Sequence, residues 1–385
     1  MSANVRVDLH VHVDGQINKE NVIKCLQKAE ADGVKKLCLL EHSHLDVLDP
    51  IVEILEEKSL RKYYSGELII GCEYDTIIDA HHKNSDGTNY DGFISHILCY
   101  YSLEDALKLK ENKILHARDK ESDYKKDYEK LCEKLNELNL SFELEIPSLD
   151  DLKKMNCPHI VKDLQAWIAQ NPTRREQYKL ALNATEKTMD YPSDFIRNMT
   201  QDPKAPLFYE PEFVPHSSDL FKIIRKEAKS AKIVLAHPAY MHTCFTTAMY
   251  LETMMSYENK IDVKTFDGIE VCYYFNTLEE QQFLEEYADK RGFIKTAGSD
   301  SIKVDGEMYF IRDGEKYFFV PELGNALGTS FDIGNVKITE EQGRKLIKSD
   351  KGGSPLVVDK DLFEDIKVNE IEFVKNRNIH TNKLN

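Results

Sequence analysis

No run of about eighteen apolar residues occurs in this 385-residue chain, so no membrane-spanning helix is expected. The first residues, Met1 to Asp8, lack a basic stretch backed by an apolar one; no secretory leader is expected, and the expected compartment is the cytoplasm. The eight cysteines, at 25, 38, 72, 99, 132, 157, 244 and 272, include no CxxC pair, which removes the common thiolate metal and redox motifs. Cys38, Cys72, Cys99 and Cys272 lie inside apolar β-like runs and read as small core residues of a reducing compartment. Positive charge is also short: 51 Lys and Arg face 67 Asp and Glu, a net charge of −16. Such a surface is a poor adhesive for nucleic acid, and no stable nucleic-acid complex is expected. A nucleotide substrate stays open, because bound metal ions supply positive charge locally. No internal repeat at a fixed period is present.

What is present is globular: 41% hydrophobic and 31% charged residues, enough for a large core. The first hundred residues alternate strand and helix patterns. Val5–Leu9, Lys36–Leu40, Leu68–Cys72 and Ile94–Tyr100 read as strands. Between them, Lys19–Asp32, with Val22, Ile23, Leu26 and Ala29 on one face, and Asp49–Lys58 read as helices. This alternation predicts parallel strands with helices outside, an α/β sheet or barrel. Residues 103–215 turn helical, charged and proline-interrupted, and read as an insertion that caps the site and sets substrate size. The rhythm resumes with strands at Ile233–Ala236, Gly268–Cys272 and Phe293–Ala297 and helices at Leu220–Lys229 and Leu278–Arg291. Asp313-Gly314 between Met308–Ile311 and Lys316–Val320 predicts a hairpin that packs on the barrel, covers its mouth or forms a dimer surface. The last 50 residues read as a terminal helix and tail. The expected units are therefore 1–102 and 216–303 as two parts of one barrel, 103–215 as a helical cap and 304–385 as an appendage.

Histidines and carboxylates recur at the ends of these strands, where parallel α/β folds carry their chemistry. The first strand ends Asp8-Leu9-His10-Val11-His12-Val13-Asp14, and residues two apart on a strand share a face, so His10 and His12 can meet one metal. Glu41-His42-Ser43-His44 follows the second strand and Gly71-Cys72-Glu73 ends the third. Ser95-His96 begins the fourth, and Ala236-His237-Pro238 and Gly298-Ser299-Asp300 end later ones. Imidazoles mixed with carboxylates suit Zn, Mn or Fe better than Mg or Ca. Buried ionisable groups in such number are costly unless paired or metal-bound, which predicts a multinuclear site.

In order along the chain, these motifs resemble the PHP (polymerase and histidinol phosphatase) phosphoesterases. The likeness runs from about residue 5 to 302, interrupted by the insertion, and includes Gly268-Ile269-Glu270-Val271. It implies a distorted (β/α)7 TIM-like barrel holding two or three divalent transition metals. Carried over, one metal would take His10, His12, Glu73 and Asp300, and Glu73 would bridge to a second held by His96 and His237. A third would keep His42 and Asp14; the register where the family has an Asp holds Ile17, and its final His position is Ile302. Either two metals suffice or His44 or Asp305 fills the gap. Cys157-Pro158-His159-Ile160-Val161 resembles a phosphate-holding segment, with Asn156 and Cys157 where an Arg is usual. His159 is thus a candidate substrate contact, and Arg174 and Arg175 stand either as substitutes or as a solvated helix face.

The activity implied is hydrolysis of a small phosphate ester, such as a sugar phosphate, nucleotide or short oligonucleotide, by metal-activated hydroxide. Glu73 would bridge the metals, with His42 or His237 assisting the leaving oxygen. Two alternatives stand beside it. His10-Val11-His12-Val13-Asp14-Gly15 also resembles the opening of adenosine deaminases, which suggests an amidohydrolase-type deaminase. Ile302 suggests an inactive PHP module that binds a partner protein or nucleic acid.

Overall fold

A computed structural model describes residues 4–13, 16–78, 82–83, 89–90, 93–116, 120–148, 151–152, 160–190, 192–200, 205–209, 214–240, 246–273, 276–300, 308–312, 315–319, 323, 331–333, 336–337 and 356–373. Strands β1 (Asn4–Val11), β2 (Lys36–Leu39) and β3 (Glu67–Ile78) lie side by side in parallel. A short ribbon of β4 (His82–Lys83) and β5 (Asn89–Tyr90) leads to β6 (Phe93–Tyr101). After the insertion come β7 (Lys232–Leu235), β8 (Gly268–Tyr273) and β9 (Ile294–Gly298).

Strand β6 runs antiparallel to both β3 and β7, whereas the alternation predicted it parallel. The connection explains the reversal. A parallel neighbour requires a crossover of a dozen or more residues, usually helical, but here the chain turns back through the β4–β5 ribbon. Strand β3 also runs beyond the predicted Leu68–Cys72, to Ile78, because β6 pairs with it from Ile70 to Ile78.

Seven of these strands form a mixed sheet in the order β1-β2-β3-β6-β7-β8-β9, which curls until β9 faces β1. There the Ser299 N–H donates to Asp8 Oδ1 at 2.9 Å, so the barrel is nearly closed by a side chain instead of a ladder. A Cβ on Gly298 would fall 2.2 Å from the Cβ of His10, so closure this tight requires glycine. On β1, Val7, Leu9 and Val11 are buried toward the surrounding helices, while Asp8 and His10 reach across the barrel interior.

Helix Lys19–Ala31 buries Val22, Cys25, Leu26 and Ala29, close to the predicted face, and Asn18 caps it by accepting from the Asn21 N–H. Helix Ser217–Glu227 buries Leu220, Phe221 and Ile224. Helix Leu278–Arg291 begins with a Thr277/Glu280 capping box and ends at Gly292 in the left-handed conformation. A further helix, Thr247–Ile261, fills the crossover between β7 and β8.

Within the insertion, Leu103–Leu109 and Lys113–His116 pack on the barrel core. Helices Lys120–Glu137, Ile160–Ala169, Pro172–Ala181, Glu186–Asp190 and Pro192–Thr200 gather around a second apolar cluster running from Tyr124 to Tyr209. Beyond the barrel, β10 (Met308–Arg312) and β11 (Glu315–Phe319) form the predicted hairpin, with Arg312 opposite Glu315. Strands β12 (Phe331–Ile333) and β13 (Val336–Lys337) extend that sheet. The terminal stretch then returns to the barrel instead of trailing as a helix and tail. Strand β14 (Val357–Asp359) pairs antiparallel with β1, and Leu356, Val358, Phe363, Ile366 and Val368 join the main core. Among the described residues, no helix is long and apolar enough to cross a membrane.

Candidate metal centre

The reversal of β6 decides the site. Because β6 runs antiparallel, its beginning lies at the same rim as the C-terminal ends of its neighbours, and His96 arrives beside Glu73. Strand β2 stops at Leu39, but Glu41 and Ser43 continue its bonding to β3: the Glu73 N–H donates to Glu41 O and the Ser43 N–H to Glu73 O. His42 therefore sits directly opposite Glu73. Three non-glycine residues at this rim, Ser43, His237 and Asp300, hold φ of 55°, 23° and 49°, a backbone cost tolerated where surrounding contacts over-determine the conformation.

At the centre lies Glu73, 1% exposed, with its two oxygens facing different partners. Oε2 lies 3.2 Å from His10 Nε2, 3.3 Å from His12 Nε2 and 3.2 Å from His42 Nδ1. Oε1 lies 3.0 Å from His96 Nδ1 and 3.1 Å from His237 Nε2. Asp300 completes the first group, its Oδ1 lying 3.4 Å from His10 Nε2 and 3.2 Å from His12 Nε2. Two donor sets thus share one carboxylate: His10, His12, Glu73 and Asp300, and Glu73, His96 and His237.

The donor set fits divalent transition metals. Tetrahedral ligands at zinc bond lengths stand about 3.3 Å apart. The four nitrogen–oxygen distances of the first group span 3.2–3.4 Å. Hydrogen bonding alone serves the cluster poorly: His12 Nε2 and His42 Nδ1 lie within 3.3 Å of carboxylate oxygens but out of hydrogen-bonding alignment, and the buried His237 Nδ1 has no hydrogen-bond partner among the described residues.

The electrostatics point the same way. Burial opposes a charge on His10, yet Glu73, Asp300 and Glu270 overcome it and hold its pKa well above the ordinary 6.5. His12 is likewise desolvated, and Asp300, Glu41 and Glu73 raise it well above that value. Burial also works against His96, but Asp75 and Glu73 push it up to about 9. Glu73 is desolvated too, and His10 and His42 still hold it well below the usual carboxylate range. Asp300 is depressed in the same way, against burial, chiefly by His10 and His12. Among the imidazoles of this cluster, His42 alone is held below the ordinary value, because its burial outweighs the attraction of Glu73. The carboxylate excess that raises three histidines is the field a divalent cation would neutralise.

Around these residues stands a supporting shell that residue type and spacing alone do not predict. Glu270, fully buried, places Oε1 3.3 Å from His10 Nδ1 and accepts the His237 N–H on Oε2 at 2.9 Å. Glu41 accepts the Val13 N–H at 2.8 Å and lies 3.7 Å from His12 Nδ1. Asp75 reaches His96 Nε2 at 3.0 Å, and Tyr273 donates to Asp300 Oδ2 at 2.9 Å. Tyr273 also packs against His237 and Tyr240. Two of these carried a sequence signal: Glu270 is the lone charge in an apolar strand, and Asp75 falls two residues after Glu73, on the same strand face.

The remaining candidates part company with this cluster. His44 turns Nδ1 toward Asp46, accepting its N–H at 3.4 Å. Arg174 stacks 3.4 Å over the Trp167 ring, and Arg175 pairs with Glu186 and Asp190. Both arginines are thus engaged inside the helical insertion and are not brought to the strand-end cluster. Asp14, His159, Ile302 and Asp305 lie outside the described residues.

No family model matches the sequence, and no curated protein matches it. The chain is similar to several solved structures. One is a candidate metal-dependent phosphoesterase from Bifidobacterium adolescentis, at 15% identity and a TM-score of 0.45, covering 90% of this chain and 96% of that one. Another is an amidohydrolase from Chromobacterium violaceum with bound sulfate and no metal, at 18% identity and a TM-score of 0.43, covering 77% and 87%. A third is a two-domain protein from Bacteroides vulgatus containing a predicted PHP-like metal-dependent phosphoesterase, at 12% identity and a TM-score of 0.32, covering 83% and 60%.

Proposed function

We propose that this chain is a metal-dependent phosphoesterase of the PHP type acting on a small phosphorylated substrate. One observation carries the reading: a single buried carboxylate, Glu73, turns one oxygen to His10 and His12 and the other to His96 and His237. A hydrolase working with one metal has no need of a second imidazole pair on the far oxygen of the same carboxylate, which favours this reading over a deaminase.

In this reading His10, His12, Glu73 and Asp300 hold one ion, and Glu73, His96 and His237 hold another. Zn, Mn and Fe suit these donors. Bound there, such ions supply Lewis acidity, neutralising charge on phosphoryl oxygens and making water acidic enough to attack at neutral pH. The protein's own part is orientation and proton transfer. His237 is buried and committed to Glu73, so its role is to hold. His42 is the most exposed of the five imidazoles around Glu73, at 25%. It is the imidazole placed to exchange a proton with the leaving oxygen. The absence of an arginine from the described cluster leaves the charge of the phosphoryl group to the metals.

The test is elemental analysis of protein purified without chelator, beside phosphate release from an aryl phosphate and ammonia release from adenosine. Two or three equivalents of metal with phosphate release are expected. Glu73→Ala should lose the metal and at least about a hundredfold in phosphate release, more than a supporting residue costs. Ammonia instead of phosphate would establish the deaminase, and an active, metal-free Glu73→Ala would end the scheme.

A further inference from the structure

Glu270 touches both halves of the centre at once. Its Oε1 stands 3.3 Å from His10 Nδ1, in the first donor set, and its Oε2 accepts the backbone N–H of His237, in the second. The side chain is fully buried and rises from the middle of β8, so it cannot swing away to solvent. Space for it is made by Gly298, where a Cβ would come 2.7 Å from Glu270 Oε1.

Resting on the metal-centre reading above, we infer that Glu270 is a positioning residue shared by the two donor sets, so that one carboxylate sets the geometry of both. Each contact has a separate consequence. A carboxylate facing His10 Nδ1 selects the tautomer protonated there and leaves the Nε2 lone pair bare toward Glu73 and Asp300. A carboxylate accepting the His237 N–H pins the backbone of a residue held at φ 23°, which aims Nε2 at Glu73. The other supporting hydrogen bonds and ion pairs named above each reach one set only: Asp75 pairs with His96, and Tyr273 donates to Asp300. A carboxylate accepts at both oxygens, whereas an amide accepts at one and presents N–H groups at the other. Gln at 270 therefore satisfies one set and opposes the other whichever way it turns.

The experiment is zinc titration of the full chain against a competing chelator, with circular dichroism to verify folding. The wild type is expected to bind two zinc ions tightly. Glu270→Gln, nearly isosteric, should bind one ion about 10–100-fold more weakly. Glu270→Ala, which removes both contacts, should weaken both by a similar factor, while Asp75→Asn should weaken one. A Glu270→Gln chain that binds two ions as the wild type does overturns the inference, as does a folded Glu270→Ala chain that weakens one ion only. If Glu270→Ala does not fold, the Gln variant decides alone. A wild type that binds no zinc, iron or manganese would instead remove the metal-centre reading itself.

Discussion

At the scale of single residues, the centre depends on contacts that leave almost no slack. Gly298 carries β9 past β1 at a separation where an added methyl group meets His10 Cβ at 2.2 Å and His10 N at 3.0 Å. Both are parts of a residue fixed in a strand, so relief requires the strands to separate. Gly298→Ala should therefore cost about 1–3 kcal/mol of stability and displace His10 from Glu73. Thermal melting and zinc stoichiometry measured together check this; a variant that melts and binds like the wild type would show that the closure is looser than described. Residues contributing through their own chemistry were legible in the sequence: His10, His12, Glu73, His96, His237 and Asp300 all meet at one rim. Residues contributing through distance were not. Nothing in the sequence places Glu270, on β8, between His10 on β1 and His237 after β7. Arg174 and Arg175 show the converse, since their charge leaves open a phosphate contact or a solvated helix face, while Trp167, Glu186 and Asp190 engage them within the insertion.

At the scale of elements, a similar anchor operates at the opposite rim. Asp267, just before β8, accepts Arg225 Nη1 at 2.8 Å and the Ile233 N–H at 2.9 Å, and pairs with Lys264 at 2.8 Å. It thereby ties helix Ser217–Glu227 to the start of β7 and β8. Burial works against its charge, but Lys264, the Ile233 N–H and Arg225 outweigh that and hold its carboxyl below the ordinary 3.8. A carboxylate depressed on folding adds stability that is fully present above its unfolded pKa and is lost as pH falls through the folded one. Asp267→Asn should cost about 1.5–3 kcal/mol at pH 7. The gap to the wild type should narrow as urea melts are taken below about pH 4; a pH-independent gap would assign the cost to packing. The order of strands and helices was largely readable, because apolar periodicity is local. The direction of β6 was not, because direction depends on whether the intervening chain forms a crossover or turns back, and the β4–β5 ribbon has little apolar pattern.

At the scale of the molecule, two apolar cores divide the work: one inside and around the barrel, the other holding the helices of the insertion together. The barrel core is completed from far along the chain. The Val7 N–H donates to Leu356 O and the Val368 N–H to Leu68 O, both at 2.7–2.8 Å, and Lys36 reaches Leu362 O and Glu364. Ending the chain after residue 355 removes β14, uncovers the edge of β1 and strips five buried apolar side chains from the core. At roughly 1.5–3 kcal/mol each, that loss rivals the whole stability of an ordinary domain, about 5–15 kcal/mol. The truncated chain should fail to fold or should aggregate on size-exclusion chromatography; a monomer melting within a few degrees of the full chain would make the return segment decorative. What the sequence determined by itself was local: the strand and helix runs, the helical insertion, the hairpin at 308–319, and a set of metal-seeking side chains at strand ends. These follow from periodicity and residue chemistry, which act between near neighbours. Tertiary structure alone decided the reversal of β6, the return of the C-terminal stretch and the sharing of Glu270 between two donor sets. Each depends on which distant segments bury one another, a question settled by closing the barrel.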